Sequence, residues 1–224
     1  KGSIFVRCDY NGNMYVRMLM NEIFVDGNFR NEVQVKRITK LGFMKKESKQ
    51  YSPGTDSLFW FSNTDKFKFY PQFKKLFQER KAYWHSLESG GKSSSPITIE
   101  GRIFYPRPNH NWKFGQEKID MMSKEGRIRI NEKVEYIDVR GEKTKGMPEY
   151  LVLPSEKIGI DTIWIDIPGY SSGWGFRTEN SEQLLKRVIK STSDQGDLVM
   201  DFFLGSGTTT AVAHKLKRKW LGVE

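Results

Sequence analysis

The alternation of hydrophobic and polar residues predicts an α/β arrangement at the start of the chain. Residues 2–6 form a short apolar run typical of a buried strand, and residues 14–23 place their apolar side chains on one face of a helix. Two more strands are predicted over residues 32–36 and 57–61, the second after the turn signal that ends at Gly54. These two strands are candidates to pair with each other in one sheet.

The last third of the chain has the pattern of a second α/β segment. A helix is predicted over residues 181–191, with Asn180 as its N-terminal cap and Gln183 in the capping-box position. The elements that follow it are a strand over 197–201, a glycine turn, a helix over 208–216 and a strand over 220–223. This order predicts one right-handed β-α-β unit.

The middle of the chain has a different character. It contains a Gly/Ser stretch over residues 89–95, a proline-rich turn around Arg107, and many charges of both signs. A strand-like run covers residues 127–130. We therefore expect three parts: a core part over 1–70, a small inserted domain or elaborated loop region over 71–155, and a second core part over 156–224.

Composition and charge narrow the class of protein. Hydrophobic residues make up 37% of the chain, enough to bury a core, and no apolar run reaches the roughly eighteen residues of a membrane span. A single cysteine suits a reducing, cytoplasmic compartment and, with three scattered histidines, argues against a zinc site. The net charge of +10 lies entirely before residue 156. It indicates either a polyanion-binding surface or a solvated basic one.

The sharpest chemical signal is a glycine turn between the predicted strand and helix of the last third. An acid precedes it, as the sequence shows: Asp201-Phe202-Phe203-Leu204-Gly205-Ser206-Gly207-Thr208-Thr209. A dinucleotide turn would need a third glycine where Thr210 stands, and a P-loop would need a lysine after Gly207. The remaining candidate is S-adenosylmethionine, for whose amino group and ribose Asp201 and Glu224 are suitably spaced.

This nonapeptide resembles the cofactor motif of the N6-adenine and N4-cytosine DNA methyltransferases, usually written D-x-F-x-G-S-G-T-T. Its Asp-Phe-Phe form resembles the modification subunits of type III restriction systems. Residues 176–181 resemble the family's other cofactor motif, which often ends Lys-Pro where this chain has Asn180 and Ser181. The resemblance implies this set of cofactor-binding residues: Phe176, Thr178, Asp201, Phe203, Gly205, Ser206, Gly207, Thr208, Thr209 and Glu224.

The resemblance extends over roughly the whole chain and is weakest over residues 71–155. It implies an α/β, Rossmann-like S-adenosylmethionine-dependent methyltransferase fold, incomplete at the amino end, with an inserted target-recognition segment. The implied reaction methylates the exocyclic amine of adenine, or of cytosine, in double-stranded DNA of a bacterial restriction-modification system. A restriction subunit or a second methyltransferase subunit is an implied partner.

One family feature is missing from the sequence. The catalytic tetrapeptide [Asp/Asn/Ser]-Pro-Pro-[aromatic] is absent, since the chain contains no Pro-Pro pair. In the family's β order this motif would precede Lys1, so we expect either that Lys1 is not the natural start or that the missing piece is a separate chain. Two alternatives stay open: an inactive DNA- or cofactor-binding module, and a methyltransferase acting on RNA or on protein glutamine.

Two groups of mainly basic residues are the candidates for DNA contact, and the second of them combines basic side chains with aromatic ones. One group follows a predicted strand near the expected catalytic face, and the other surrounds the proline-rich turn. The alternative for both groups is an ordinary exposed loop. The candidates are Lys36, Arg37, Lys40, Arg102, Arg107, His110, Trp112 and Lys113.

Overall fold

The computed structural model describes residues 2–25, 27–37, 49–92, 95–171 and 179–224. The chain divides into two compact units, Lys1–Lys74 with Ile158–Glu224 as the first and Lys75–Lys157 as the second. In chain order the elements are β1 (Ser3–Cys8), α1 (Asn13–Ile23), β2 (Phe29–Lys36), β3 (Thr55–Ser62), β4 (Phe73–Arg80), β5 (Tyr83–Ser86), β6 (Glu88–Gly90), β7 (Ile97–Ile99), β8 (Arg102–Phe104), β9 (His110–Trp112), α2 (Gln116–Lys124), β10 (Ile128–Ile137), β11 (Lys143–Val152), β12 (Ser155–Gly159), β13 (Ile163–Trp164), α3 (Glu182–Thr192), β14 (Leu198–Asp201), α4 (Thr208–Lys215) and β15 (Lys219–Gly222).

A four-stranded sheet in the order β1-β3-β2-β13 organises the first unit. The predicted pairing of β2 with β3 is confirmed and is antiparallel, while β13 runs parallel to β2. Strand β3 lies between β1 and β2, and its residues from Asp56 to Ser62 are all buried. Its continuous apolar run is therefore the pattern of a strand covered on both faces.

The two faces of this sheet carry separate hydrophobic clusters. On one face Leu58 packs with Val33, Val35 and Leu184, which brings helix α3 against the sheet. On the other face Phe59 and Phe61 pack with Met20 of α1. Alternate residues of β3 thus point to opposite layers, as the two-residue repeat of a strand requires.

Strands β14 and β15 pair in parallel with helix α4 between them in sequence, which confirms the predicted strand–helix–strand order. Helices α3 and α4 pack through Ile189, Val212 and Ala213. Residues 198–201 and 219–222 align in register, so Asp201 stands opposite Gly222 at the carboxyl end of the ribbon. Ligands of open α/β sheets bind outside this end of the strands.

The predicted N-terminal cap of α3 is wrong by one residue. The helix begins at Glu182, and the cap is Ser181, whose hydroxyl oxygen accepts a hydrogen bond from the Leu184 amide at 3.1 Å. Gln183 therefore stands one residue before the capping-box position. The side chain of Asn180 is engaged elsewhere, because its Oδ1 accepts a hydrogen bond from Arg7.

The second unit is built mainly from antiparallel strands. Its largest sheet has the order β10-β11-β5, and two-stranded ribbons pair β6 with β9 and β7 with β8. A core of Leu87, Ile97, Ile99, Phe104 and Ile119 joins these ribbons to helix α2. A further two-stranded sheet pairs β4 with β12.

None of the helices in the described part of the chain combines the length and apolar character needed to span a membrane.

Candidate cofactor site

Asp201 ends strand β14 and turns the chain towards α4. Its Oδ1 accepts a hydrogen bond from the Phe203 amide at 3.0 Å, while its backbone carbonyl accepts one from Val223 at 2.9 Å. The first bond folds the backbone back on the side chain in the local turn that aspartate favours. The carboxylate is thereby held at the carboxyl end of the strand, half-buried, with its second oxygen free of any bond among the described residues.

The turn after Asp201 depends on two glycines. Gly205 and Gly207 have φ of +54° and +79°, in the left-handed region that glycine adopts at no steric cost. Gly207 is also the N-terminal cap of α4, and no side chain caps this helix. The first amides of α4 therefore keep the partial positive charge that attracts a carboxylate or another anionic group.

The hydroxyl groups around the turn are partly committed to each other. Ser206 Oγ and Thr208 Oγ1 lie 2.8 Å apart, and Thr210 Oγ1 donates to the Gly207 carbonyl at 2.9 Å. Thr208 and Thr210 are buried. These bonds fix the first turn of α4 from inside the loop, so the glycine turn has a defined shape before any ligand arrives.

A pocket of about 80 Å³ opens beside this turn. The predicted residues that line it are Asp201, Phe203, Gly205, Ser206, Thr208 and Thr209, and Leu204 lines it as well. The Phe203 ring is 91% exposed, so one apolar face is free to contact a ligand. The structure thus brings six of the ten predicted cofactor residues together around one pocket.

Glu224 and Gly207 do not line this pocket, although both lie close to the turn. Glu224 Oε2 accepts a hydrogen bond from the Gly205 amide at 2.6 Å, so this carboxylate holds an amide of the glycine turn. Its ribose-binding role stays a prediction. Phe176 and Thr178 lie outside the described residues.

Three pocket residues were not among the predicted ones: Leu204, Glu179 and Asn180. Glu179 and Asn180 form part of the wall, and Glu179 is only 4% exposed. The signal for Glu179 and Asn180 was the second cofactor motif, residues 176–181, in which both lie. Asn180 was instead predicted to cap the next helix, and Glu179 was given no role.

Among the described DNA-contact candidates of the first unit, Arg37 has protein partners. Arg37 Nη1 lies 3.3 Å from Asp56 Oδ1 and 3.5 Å from Asp9 Oδ2, so its charge is balanced by two carboxylates. Lys36 ends β2 and is half-buried. Lys40 lies outside the described residues. Contact of Lys36 and Arg37 with DNA stays a prediction.

Several candidates of the second unit also form internal contacts. Arg107 donates through its amide and its Nε to the buried Glu88, both at 2.7 Å. Arg102 pairs with Glu132, and Lys113 Nζ lies 5.2 Å from the centre of the Tyr150 ring. About half of each arginine side chain remains exposed, so these cations are anchored but still accessible.

His110 and Trp112 lie on the same strand, β9, which pairs with β6. The Nδ1 of His110 lies 2.9 Å from the Pro108 carbonyl oxygen. Trp112 Nε1 is buried and has no hydrogen-bond partner among the described residues. Since Glu88 pairs with Trp112 in this ribbon and binds Arg107, the structure places these candidates around one short ribbon.

The geometry is that of an α/β protein with a candidate site for a small zwitterionic or nucleotide-like cofactor at the carboxyl end of a parallel strand pair. Comparisons with known proteins identify the family and its cofactor. Over residues 1–224 the chain matches the N6/N4 methyltransferase family, described as DNA methylase, and it belongs to this family. Membership confirms the resemblance, the α/β methyltransferase fold and the family's cofactor, S-adenosylmethionine.

Similar proteins include a restriction-modification subunit and type II methyltransferases. The chain is 28% identical over 298 residues to the "Probable type III restriction-modification enzyme HindVI Mod subunit" of Haemophilus influenzae, covering all of this chain and 39% of that protein. It is 24% identical over 240 residues to the type II methyltransferase M.EcaI of Enterobacter cloacae, covering all of this chain and 50% of the relative. It therefore spans half or less of the length of these relatives.

A shorter and closer match covers 30% of the chain, at 43% identity over 70 residues, with the type II methyltransferase M.BamHI of Bacillus amyloliquefaciens. Among solved structures, the crystal structure of an M1.HpyAVI-SAM complex matches all of this chain and 68% of its own at 14% identity, with a TM-score of 0.49.

Proposed function

We propose that this chain supplies the S-adenosylmethionine pocket and a DNA-facing segment of a bacterial DNA methyltransferase of a restriction-modification system. The whole enzyme transfers a methyl group to the exocyclic amine of adenine, with cytosine as the alternative acceptor. The observation that carries the proposal is Asp201, held at the end of β14 beside two left-handed glycines and the uncapped start of α4. Family membership supports it.

The residues of the pocket fit the amino-acid end of the cofactor. The half-buried Asp201 carboxylate offers a free oxygen to an ammonium group, and the uncapped amides of α4 offer donors to a carboxylate. The exposed Phe203 ring offers an apolar face. S-adenosylmethionine supplies an electrophilic methyl group when bound; the role of these residues is to bind and orient it.

The second unit is proposed as the target-recognition part. Residues 75–157 contain more basic than acidic side chains, and the candidates around the β6–β9 ribbon combine anchored cations with aromatic rings. An anchored arginine that remains half exposed loses little conformational entropy when it contacts a phosphate. A restriction subunit is a proposed partner and the bacterial cytoplasm the proposed location, in keeping with the relatives.

Calorimetric titration of the chain with S-adenosylmethionine tests the cofactor site. Asp201→Asn keeps the oxygen that accepts from the Phe203 amide but removes the negative charge. Loss of one hydrogen bond between charged groups, worth about 1.5–3 kcal/mol, should weaken binding roughly 10- to 150-fold. The matched control is Asp166→Asn, which removes a carboxylate bound to Arg187 outside the pocket. Equal affinity in wild type and Asp201→Asn would contradict the proposed role.

The salt dependence of duplex DNA binding tests the second unit. Replacing Arg107 and Glu88 together by glutamine removes the cation without leaving a buried carboxylate unpaired. If Arg107 contacts a phosphate, the slope of log K against log salt should become less steep by about 0.9. The matched control neutralises Arg187 and Asp166 together. A slope that changes equally in both double variants would refute a specific phosphate contact by Arg107.

A further inference from the structure

A charged cluster joins four separate segments of the first unit beside the cofactor pocket. Asp56 is 1% exposed, and its Oδ2 accepts from Arg7 Nη2 at 2.8 Å and Nε at 3.1 Å. The Tyr170 hydroxyl donates to the same oxygen at 2.9 Å, and Arg37 approaches Oδ1 at 3.3 Å. A buried carboxylate with this many charged and polar donors is held in one orientation.

Arg7 uses its remaining donor to bind a different part of the chain. Its Nη1 donates to the Gly169 carbonyl and to Asn180 Oδ1, both at 2.7 Å. Its guanidinium carbon lies 3.8 Å from the centre of the Tyr170 ring, within the range of a cation–π contact. One side chain on β1 therefore fixes residues on both sides of the segment that the structure leaves undescribed, 172–178.

The two arms held by Arg7 also bind each other. Tyr170 and Asn180 form an antiparallel bridge, and Ser171 N donates to the Glu179 carbonyl at 2.8 Å. Ser181 N donates to the Gly169 carbonyl at 3.2 Å. Residues 169–171 and 179–181 are thus a short ladder, and the Arg7–Asp56 pair lies against its side.

The packing against this ladder leaves no room for an additional methyl group at Gly169. A Cβ at Gly169 would lie 2.2 Å from the Lys36 carbonyl oxygen and 2.6 Å from Arg7 Nη2. The ladder is therefore pressed against the end of β2 and against the guanidinium. The outer arm carries Glu179 and Asn180, which both line the cofactor pocket. A shift of Arg7 moves a wall of that pocket.

We propose that Arg7 is a positioning residue for S-adenosylmethionine: oriented by Asp56, it fixes the pocket wall formed by Glu179 and Asn180 through its bonds to Asn180 Oδ1 and the Gly169 carbonyl. Arg7 does not line the pocket itself. The inference rests on the proposed cofactor site. It extends that site to a residue that lies 173 positions from Asn180 in the sequence and outside every cofactor motif.

Arg7→Lys is the informative variant, because lysine keeps the charge but cannot bind Asp56, Gly169 and Asn180 together. Arg187→Lys is the matched control. Arg187 is equally buried, pairs with one aspartate and packs over Trp164, but it does not bind the ladder. Both variants are measured for stability and for their dissociation constant with S-adenosylmethionine. We expect about tenfold weaker binding in Arg7→Lys alone. The measured stabilities establish that each variant is folded under the conditions of the titration.

Two further readouts separate positioning from general stability. In a double-mutant cycle, Asn180→Ala should weaken cofactor binding in the wild type and have little further effect in Arg7→Lys, because both remove the same bond. The side-chain amide resonances of Asn180 should shift in Arg7→Lys and not in Arg187→Lys. Additive effects in the cycle, or unshifted amide resonances, would overturn the positioning role.

The outcomes of the titration are distinct. Wild-type binding that Arg7→Lys leaves unchanged would overturn the inference and leave the proposed cofactor site intact. Absence of binding by the folded wild-type chain would overturn the cofactor site and this inference with it. Equal weakening by Arg187→Lys would assign the effect to stability and also overturn the inference.

Discussion

Gly169→Ala gives a direct measure of how tightly the pocket-bearing ladder is packed. The new methyl carbon would meet the Lys36 carbonyl oxygen at 2.2 Å, well inside van der Waals contact. It would also meet Arg7 Nη2 at 2.6 Å. The first of these atoms belongs to the backbone of β2, whose partner strand β3 is buried, so it cannot move aside without disturbing the sheet.

The expected cost follows from this geometry. Overpacking by one methyl group in a close-packed region costs about 1–3 kcal/mol. For a chain of this size each kcal/mol corresponds to about 2–4 °C, so the melting temperature should fall by roughly 2–12 °C. In the wild type Arg7 Nη1 donates to the Gly169 carbonyl at 2.7 Å, and the alanine should displace Arg7 from this bond. Affinity for S-adenosylmethionine should therefore fall together with stability.

Gly54→Ala is the matched control for thermal unfolding followed by circular dichroism. A Cβ at Gly54 meets nothing within 4 Å, and its φ is not in the left-handed region. Removing a glycine at such a site should leave the chain unchanged or stabilise it by about 0.4–1 kcal/mol through the unfolded state. A Gly169→Ala variant that melts within about 1 °C of the wild type would refute the packing argument.

Three further perturbations have defined outcomes. Val25 is exposed and β-branched, and its φ is 53°. Val25→Asn should therefore relieve backbone strain and raise the free energy of unfolding, measured by urea titration, by about 1 kcal/mol. Val139→Asn is the control, because Val139 is an exposed valine without positive φ, and it should not raise that free energy. Glu88→Gln replaces a buried carboxylate that accepts twice from Arg107 and should lower that free energy by about 1.5–3 kcal/mol; an unchanged denaturation midpoint would contradict the contact. The Asp194 amide and the Lys68 ammonium hold the pKa of Asp197 below its ordinary value, so its stabilising contribution is complete above about pH 4 and is lost as pH falls through the depressed pKa. In Lys68→Met the pKa of Asp197, measured by NMR titration of its carboxyl group, should rise part of the way back towards its ordinary value. An unchanged pKa would exclude Lys68 as a cause of the shift.

The parts of the structure that sequence patterns predicted are those determined by neighbouring residues. The β14–α4–β15 order follows from an apolar run, a glycine pair and a helical repeat within residues 197–223. Left-handed glycines and an uncapped helix start are consequences of that local sequence, and six of the predicted cofactor residues line one pocket as a result. Local propensity and tertiary packing agree here, which is the condition for successful prediction.

The wrong helix cap shows where local information ends. Asn180 and Ser181 are adjacent, and both residue types are favoured as caps. The sequence therefore does not decide between them. Arg7, from a strand at the other end of the chain, binds Asn180 Oδ1 and leaves Ser181 to accept from Leu184. A contact between residues 173 positions apart in the sequence therefore determines which of two adjacent residues caps the helix.

The basic residues predicted to contact DNA show that local sequence also fails to predict which charges are paired. Counting charges predicts a basic surface, but it does not say which cations are balanced. Arg102 and Arg107 bind Glu132 and Glu88, which are 30 and 19 positions away, and Arg37 lies between Asp9 and Asp56. Only folding brings these acids near. The free charge of each candidate is thus a property of the tertiary structure.

The cofactor pocket combines parts that depend on the fold to different degrees. Its glycine turn is shaped by bonds within residues 201–210 together with the Glu224 carboxylate, so it should tolerate changes elsewhere in the sheet. The part of its wall formed by Glu179 and Asn180 is placed by Arg7 and Asp56 from β1 and β3. Substitutions that disturb those strands should therefore weaken cofactor binding while the turn itself stays intact. Both parts lie in cofactor motifs, but mutations outside the motifs that weaken binding should act mainly through the wall at Glu179 and Asn180.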